Sequence, residues 1–353
     1  MDFISAQPVW RLALRDTTFI ATMESTRAQS AWVLALAAVG LLVVARAAVR
    51  LALWLYAAFL RPAKPLRRYG AWAVVTGATD GIGLAIAFRL ADAGLAMFLV
   101  GRNPHKLASV AAEIRARHSN VPEVRTFVLD FAGGDLAAGV EALKEAVRGL
   151  DVGVLVNNAG VAYPYPRYFH EVDEELMRGL IRVNVEGLTR VTQAVLPGML
   201  QRKRGAIVNV GSGSSSALPS DPLNSVYSAT KAYVDQFSRC LYVEYKSKGI
   251  DVQCEVPLNV ATKMATSIAK PTITAPTADT YARAALRHIG YEPRCSPYWP
   301  HSVMWFLISM LPESLADSLR LSMCIKMREA GQSINLQRRI NKFNASSEEI
   351  LCP

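Results

Sequence analysis

Cysteine is scarce and scattered. The five cysteines, Cys240, Cys254, Cys295, Cys324 and Cys352, are odd in number, and no two stand at CxxC spacing. That argues against a disulfide framework and against a zinc module, and it fits a reducing compartment. The five histidines (His105, His118, His170, His288 and His301) form no metal-binding spacing; His170-Glu171 has no second His to complete a motif. No metal site is expected. Charged residues make up only 19% of the chain, and no RNP-like, zinc-finger or helix-turn-helix pattern accompanies the net charge of +10. Nucleic acid is therefore not an expected partner. Nor does the composition match a disordered or fibrous chain.

What is present is apolar surface, 51% of 353 residues. That is ample for one large domain with added segments at its ends. Ala31 to Ala45 carries no charge; Arg46 and Arg50 interrupt, and Leu51 to Leu60 is apolar again. Roughly 20 helical residues cross the hydrocarbon core of a bilayer. Residues 31–60 are thus expected to be a membrane anchor, with Arg46 snorkelling and Trp54 and Tyr56 at the interface. A cleaved signal peptide fits poorly, because the apolar run starts late and is long. Arg61, Lys64, Arg67 and Arg68 follow the run, which places the larger C-terminal part on the cytosolic side. Residues 1–30 form an N-terminal extension. Within it, Ala6 to Leu14 matches Ala28 to Leu36 at six of nine positions, a local duplication with no function assigned. Pro62 and Pro65 make a stiff linker.

Past the linker, Ala71 to Thr76 is a short apolar run, read as a buried parallel strand. Gly77-Ala78-Thr79-Asp80-Gly81-Ile82-Gly83 follows, then a helical pattern from Leu84 to Ala93. Strand, glycine turn and helix form the start of a dinucleotide-binding unit. Gly77 permits the tight turn, Gly81 lets backbone approach a pyrophosphate, and Gly83 allows close helix packing. A second strand, Ala96 to Val100, ends at Gly101-Arg102-Asn103. An NAD enzyme usually carries an acid at that strand end. Arg102, with Lys106 one turn on, suits the extra 2′-phosphate of NADPH instead. Strands at Arg125 to Leu129 (ending at Asp130), Val152 to Val156 and Ala206 to Val210 alternate with helices. The predicted fold class is α/β: a Rossmann-type doubly wound parallel sheet, preceded by a transmembrane helix.

The last of those strands runs into Ser212, Ser214, Ser215 and Ser216, and then Tyr227 and Lys231 lie four apart on a predicted helix to about Glu244. One helical face therefore carries both. A phenol with a pKa near 10 is a poor acid–base catalyst at neutral pH, and a nearby ammonium lowers that pKa.

Together these parts resemble the short-chain dehydrogenases/reductases: Thr76-Gly77, Gly81-Ile82-Gly83, Asp130, Asn157-Asn158-Ala159-Gly160, Asn184, the serine turn and Tyr227 with Lys231, in that order over roughly residues 70–260. The resemblance implies that Tyr227 protonates a carbonyl oxygen while hydride arrives from the nicotinamide. It implies a hydrogen bond from a serine to that oxygen, Lys231 on the nicotinamide ribose, and Asn184 holding a relay water. Counting from the strand selects Ser212; counting back from Tyr227 selects Ser214. The strand end is the firmer reference and favours Ser212. The cofactor set is Gly77, Thr79, Asp80, Gly81, Ile82, Gly83, Arg102, Lys106, Asp130, Asn158, Tyr227, Lys231, Val260 and Thr262.

A narrower resemblance, over about residues 31–326, is to the plant very-long-chain 3-oxoacyl-CoA reductases of fatty-acid elongation. It is carried by Tyr163-Pro164-Tyr165, Arg182 to Gly187, Val234 to Phe237 and Tyr298-Trp299-Pro300-His301. It implies an acyl-CoA substrate, membrane lipid and elongase subunits as partners, and the endoplasmic-reticulum membrane as location. A steroid or retinoid ketone reductase and a non-catalytic elongase scaffold are the alternatives. Three features depart from the family. Pro257-Leu258 replaces Pro-Gly, Asn224 and Asn259 replace expected aromatics, and the tail has no dilysine ending. The expected organisation is 1–30 extension, 31–60 anchor, 69–262 NADP-binding catalytic domain, 263–328 substrate or membrane-proximal segment and 329–353 tail. Val303 to Leu311 is too short to span a bilayer. It is left as a membrane-dipping element, a lid over the acyl chain, or core. Asn344-Ala345-Ser346 matches a glycosylation triplet that would go unused on the cytosolic side.

Overall fold

Strand β1 (Trp72–Thr76) is buried along its whole length, as expected of a strand covered on both faces. The structure, a computed structural model, describes residues 10–265 and 270–351, with side chains described over 30–265 and 270–335. Cys352, Ala6 to Val9 of the duplicated segment, and the side chains of the Asn344 triplet lie outside that description. The chain divides into two units at Arg61/Pro62.

The first unit is a helix, α1 (Trp10–Leu55), which widens into a π-helical turn at Tyr56–Leu60. Its Ser30–Leu60 portion is long and apolar enough to cross a membrane. At 1.5 Å per residue those 31 residues span about 46 Å, beyond the ~30 Å hydrocarbon core. Residue 30 lies inside this continuous helix.

In the second unit, α2 (Gly81–Asp92), β2 (Ala96–Gly101), α3 (Pro104–Arg117) and β3 (Val124–Val128) follow β1. Next come α4 (Leu136–Ala146), β4 (Val152–Asn157), α5 (Glu174–Ile181), a π-helical turn at Arg182–Gly187, and α6 (Leu188–Arg202). Then β5 (Gly205–Val210), the single turn α7 (Gly213–Ser216), α8 (Ser225–Tyr245) and β6 (Ile250–Glu255) complete the main pattern. The remaining elements are α9 (Ala278–His288), β7 (Arg294–Cys295), α10 (Trp299–Ser309) and α11 (Glu313–Leu351). Residue 328 falls within α11.

All strand pairings are parallel, in the order β3-β2-β1-β4-β5-β6-β7. The expected doubly wound sheet is therefore present. Alternation along β1 sends Ala73 and Val75 into one core with Leu90, Leu99 and Ile114. Trp72 and Val74 enter the other, with Phe98, Leu143, Val191 and Ile207. The strand order reverses between β1 and β4, and the crevice at their carboxyl ends is where such sheets bind ligands. Val303 to Leu311 proves two-faced. Trp305 packs on the core of Leu188, Val234, Cys254 and Val256, while Phe306, Leu307, Met310 and Leu311 are exposed.

Candidate active site

The glycine turn takes the conformation its residues allow. Gly77 and Gly81 have φ of 66° and 57°, where a side chain is strained. Asp80 caps α2 by accepting the Gly81 N–H at 2.8 Å. A Cβ on Gly83 would stand 2.2 Å from Asn158 Nδ2 and 2.5 Å from the Gly77 carbonyl. That approach exists because Asn158 braces the turn, donating to the carbonyls of Thr76 (3.1 Å) and Gly77 (3.2 Å). Thr76 Oγ1 in turn accepts the N–H groups of Asn158 (3.0 Å) and Ala159 (3.1 Å), tying β1 to β4. The result is a concave backbone surface ahead of a helix N-terminus, where amides and the helix dipole favour an anion.

The other predicted cofactor residues surround that surface. Thr262 Cγ2 lies 3.3 Å from where a Gly81 Cβ would be, and buried Val260 packs with Ile82 and Tyr281. Thr79 reaches the end of β2, its Cγ2 3.3 Å from the Cβ position of Gly101. Arg102 and Lys106 follow, both exposed, on the loop and first turn where Asn103 caps α3. Asp130 lies two residues past the end of β3, and its carboxylate accepts the Ala132 N–H at 3.0 Å.

At the carboxyl end of β5 the catalytic candidates converge. Lys231 is buried and donates to the Val210 carbonyl at 2.9 Å, with Nζ 5.9 Å from the Tyr227 ring centre. A methyl group on Gly160 would touch both Asn184 Oδ1 (3.3 Å) and Lys231 Nζ (3.6 Å). Asn184, buried in the π-helical turn, accepts the Val161 N–H and donates to the Val161 carbonyl, each at 2.9 Å. It also donates to Thr230 Oγ1 at 3.0 Å, and that hydroxyl donates to the Tyr227 carbonyl at 2.7 Å. Asn184 therefore holds the Val161 loop and, through Thr230, the backbone of Tyr227.

Ser212, whose Oγ accepts the Ser214 N–H at 3.2 Å, is the serine whose side chain acts on the Tyr227 phenol. Ser214 lies behind it, its Oγ 3.2 Å from the Ser212 Oγ that donates to it, and its carbonyl accepts from Ser228 at 2.8 Å. Burial pushes the Tyr227 phenol above its ordinary pKa; Ser212 pulls it back, and the Asp221 carboxylate adds to the rise. Burial also brings the Lys231 amine down to about 8.

The sequence comparisons agree with this geometry. Residues 71–272 match the family model for short chain dehydrogenases. The chain belongs to the short-chain dehydrogenase family. A very-long-chain 3-oxoacyl-CoA reductase-like protein of Arabidopsis thaliana is 46% identical over 278 residues, covering 78% of this chain and 88% of that protein. The very-long-chain 3-oxoacyl-CoA reductase of Homo sapiens is 43% identical over 245 residues, 69% of this chain and 76% of the relative. Among solved structures, a short-chain dehydrogenase from Sphingobium yanoikuyae in complex with NADPH aligns with TM-score 0.55 at 32% identity. The alignment covers 62% of this chain and 83% of that one.

This short-chain dehydrogenase also uses residues that sequence reading passed over. His301 is fully buried. Its Nδ1 accepts the Leu258 N–H at 3.3 Å, and its Nε2 faces the carbonyls of Asn259 (3.1 Å) and Thr274 (3.2 Å). Those partners fix a neutral ring, and burial lowers its pKa to about 4. His301 thus pins the Pro257–Asn259 turn that carries Val260 and Thr262 to the glycine loop. Asn259 itself is exposed, and Asn224 bonds to Asp221 at 3.3 Å. Beneath the site, Asn157 donates to Thr192 (2.9 Å) and Asn209 (2.8 Å), and Asn209 to Ser238 (2.9 Å). This buried network locks β4 and β5 to α6 and α8. Only its partners in three dimensions make it recognisable.

Proposed function

We propose that this enzyme reduces very-long-chain 3-oxoacyl-CoA to 3-hydroxyacyl-CoA with NADPH, as the reductase step of membrane-bound fatty-acid elongation. The observation that carries the chemistry is the Ser212–Tyr227–Lys231 cluster, half-buried at Ser212 and Tyr227 and buried at Lys231. The names of the plant and animal relatives support the substrate class.

The residues fit a dinucleotide. A side chain at Gly83 would collide with Asn158, the turn at Gly77 and Gly81 presents backbone to the crevice, and two exposed cations follow β2. In this reading Gly77 to Gly83 hold the pyrophosphate, Arg102 and Lys106 the 2′-phosphate, and Asp130, Asn158, Val260 and Thr262 the remaining contacts. When bound, the reduced cofactor supplies the hydride. Tyr227 donates its phenolic proton to the carbonyl oxygen. A phenol whose pKa is raised by burial stays protonated at neutral pH, the form a proton donor needs. Ser212 donates a hydrogen bond to the same oxygen, stabilising negative charge as it develops there. Lys231 binds the nicotinamide ribose, and Asn184 keeps Tyr227 in place.

Ser30–Leu60 anchors the enzyme in the endoplasmic-reticulum membrane, with Arg61, Lys64, Arg67 and Arg68 holding the catalytic unit on the cytosolic side. Lipid and other elongase subunits are the partners there. The test is turnover by membranes carrying the full chain, supplied with NADPH and either a 3-oxoacyl-CoA series or a steroid ketone panel. Reduction concentrated in the acyl-CoA series supports the reading. Turnover confined to the steroids would replace it.

A further inference from the structure

The turn between α7 and α8 is strained and carries a buried charge. Leu223, buried, has φ of 63°, a region a branched side chain rarely occupies. Two residues earlier, the Asp221 side chain is 1% exposed. Such a carboxylate is costly without a cation. Its cation comes from α11: Arg320, 99 residues on, lies 2.7 Å from Asp221 Oδ1. Asn224 Nδ2 (3.3 Å) from the same turn and Cys324 Sγ (3.8 Å) from α11 face the same oxygen. The thiol is held neutral by burial, at about 11. Beside this pair, Ser220 donates to Asp317 of α11 at 2.5 Å. Further along, Arg328 pairs with Glu171 and lies over the Tyr168 ring. On its other side, the Arg167 N–H holds the Leu223 carbonyl at 2.8 Å. The turn ends at α8, whose third residue is Tyr227.

We propose that Arg320 is a positioning residue for the reduction: it holds the strained turn that opens α8, and it cancels the buried carboxylate six residues before Tyr227. The C-terminal helix is then part of the active-site frame. The proposal rests on Tyr227 as the proton-transfer group. Among the described residues, Ser212 and the Asp221 charge act on the Tyr227 phenol, and Lys231 Nζ lies 5.9 Å from its ring centre. Without Arg320, the Asp221 charge is left uncompensated and makes the phenol harder to ionise.

The test uses the full chain in membranes, run in the reverse direction, oxidation of 3-hydroxyacyl-CoA with NADP. That direction needs the ionised phenol, so the acid limb of kcat/KM against pH reports Tyr227. Arg320→Gln should move that limb up by about one pH unit, and Arg320→Lys should leave it in place. Asp221→Asn should move it down, and Asp221→Asn with Arg320→Gln should return it close to wild type. A role confined to packing would lower kcat at every pH without moving the limb. A limb unmoved in both Asp221→Asn and Arg320→Gln overturns the proposal. Should Arg320→Gln not accumulate as folded protein, Asp221→Asn and the double variant decide alone. Tyr227→Phe separates the two failures. If that variant stays active, the proton-transfer reading falls; if it is dead and the limb is immobile, only the role of Arg320 falls.

Discussion

The two ends of the active-site crevice are assembled over different distances along the chain. The glycine turn takes its parts from Thr76 to Gly83, with Asn158 as brace. The catalytic end joins Asn184, Ser212, Tyr227 and Lys231, and its supporting turn is held from α11 by Arg320. At the first end, backbone conformation does most of the binding, so a short motif suffices. At the second, side chains from several elements must meet, and their mutual geometry decides what each does. Damage should accordingly be graded: severe where one side chain has no substitute, milder where several groups share a load.

Apart from loss of the Tyr227 hydroxyl itself, the largest effect should come from Lys231→Met, which removes the buried amine beside Tyr227. A drop in kcat/KM on the order of a thousandfold is expected, with circular dichroism unchanged. A drop below tenfold would place Lys231 outside the mechanism. Next, Ser212→Ala should lower kcat about a hundredfold, as loss of one donor to a developing oxyanion does. Ser214→Ala should cost less than about fivefold, since Ser212 and not Ser214 acts on the Tyr227 phenol. Steady-state rates on both variants sharpen the contrast; equal losses would erase it. At the cofactor end, Arg102→Asp should raise KM for NADPH by about tenfold to fiftyfold and improve use of NADH, with kcat nearly preserved.

The smallest effect concerns stability. Glu255 is fully buried with both carboxylate oxygens lacking a hydrogen-bond partner among the described residues, and burial pushes its pKa to about 8. In the unfolded chain it titrates near 4.5. Between those values the unfolded state has released a proton that the folded state keeps. Stability therefore falls as pH rises from about 4.5 to about 8, by up to about 1.4 kcal/mol per unit, and then levels. Glu255→Gln should flatten that slope in Tm measured from pH 6 to 8. An unchanged slope would mean that Glu255 is ionised in the folded protein.

The sheet was legible because short, continuous apolar runs bounded by turns leave few alternatives, and the strand limits expected at Ala96, Val152 and Ala206 agree within one residue. Helix α2 begins three residues earlier than expected, because Asp80 caps it directly after the turn. Ser212 and Ser214 share one short turn, Ser212 Oγ donating to Ser214 Oγ at 3.2 Å, so that counting from the strand end and counting back from Tyr227 reach the same place in the fold. Asp221 with Arg320, and His301 on the Pro257–Asn259 turn, were not legible. A lone Asp, Arg or His in sequence carries no sign of a partner tens of residues away. The four-residue spacing of Tyr227 and Lys231 shows a shared face, but not that burial raises the phenol and lowers the amine.

The most direct measurement is single-turnover reduction of a very-long-chain 3-oxoacyl-CoA by NADPH, comparing wild-type chain with Tyr227→Phe in membranes from cells lacking their own reductase. The account predicts 3-hydroxyacyl-CoA from the wild type and a rate at least about a thousandfold lower from the variant, with NADPH affinity retained. Equal rates from the two proteins would contradict it.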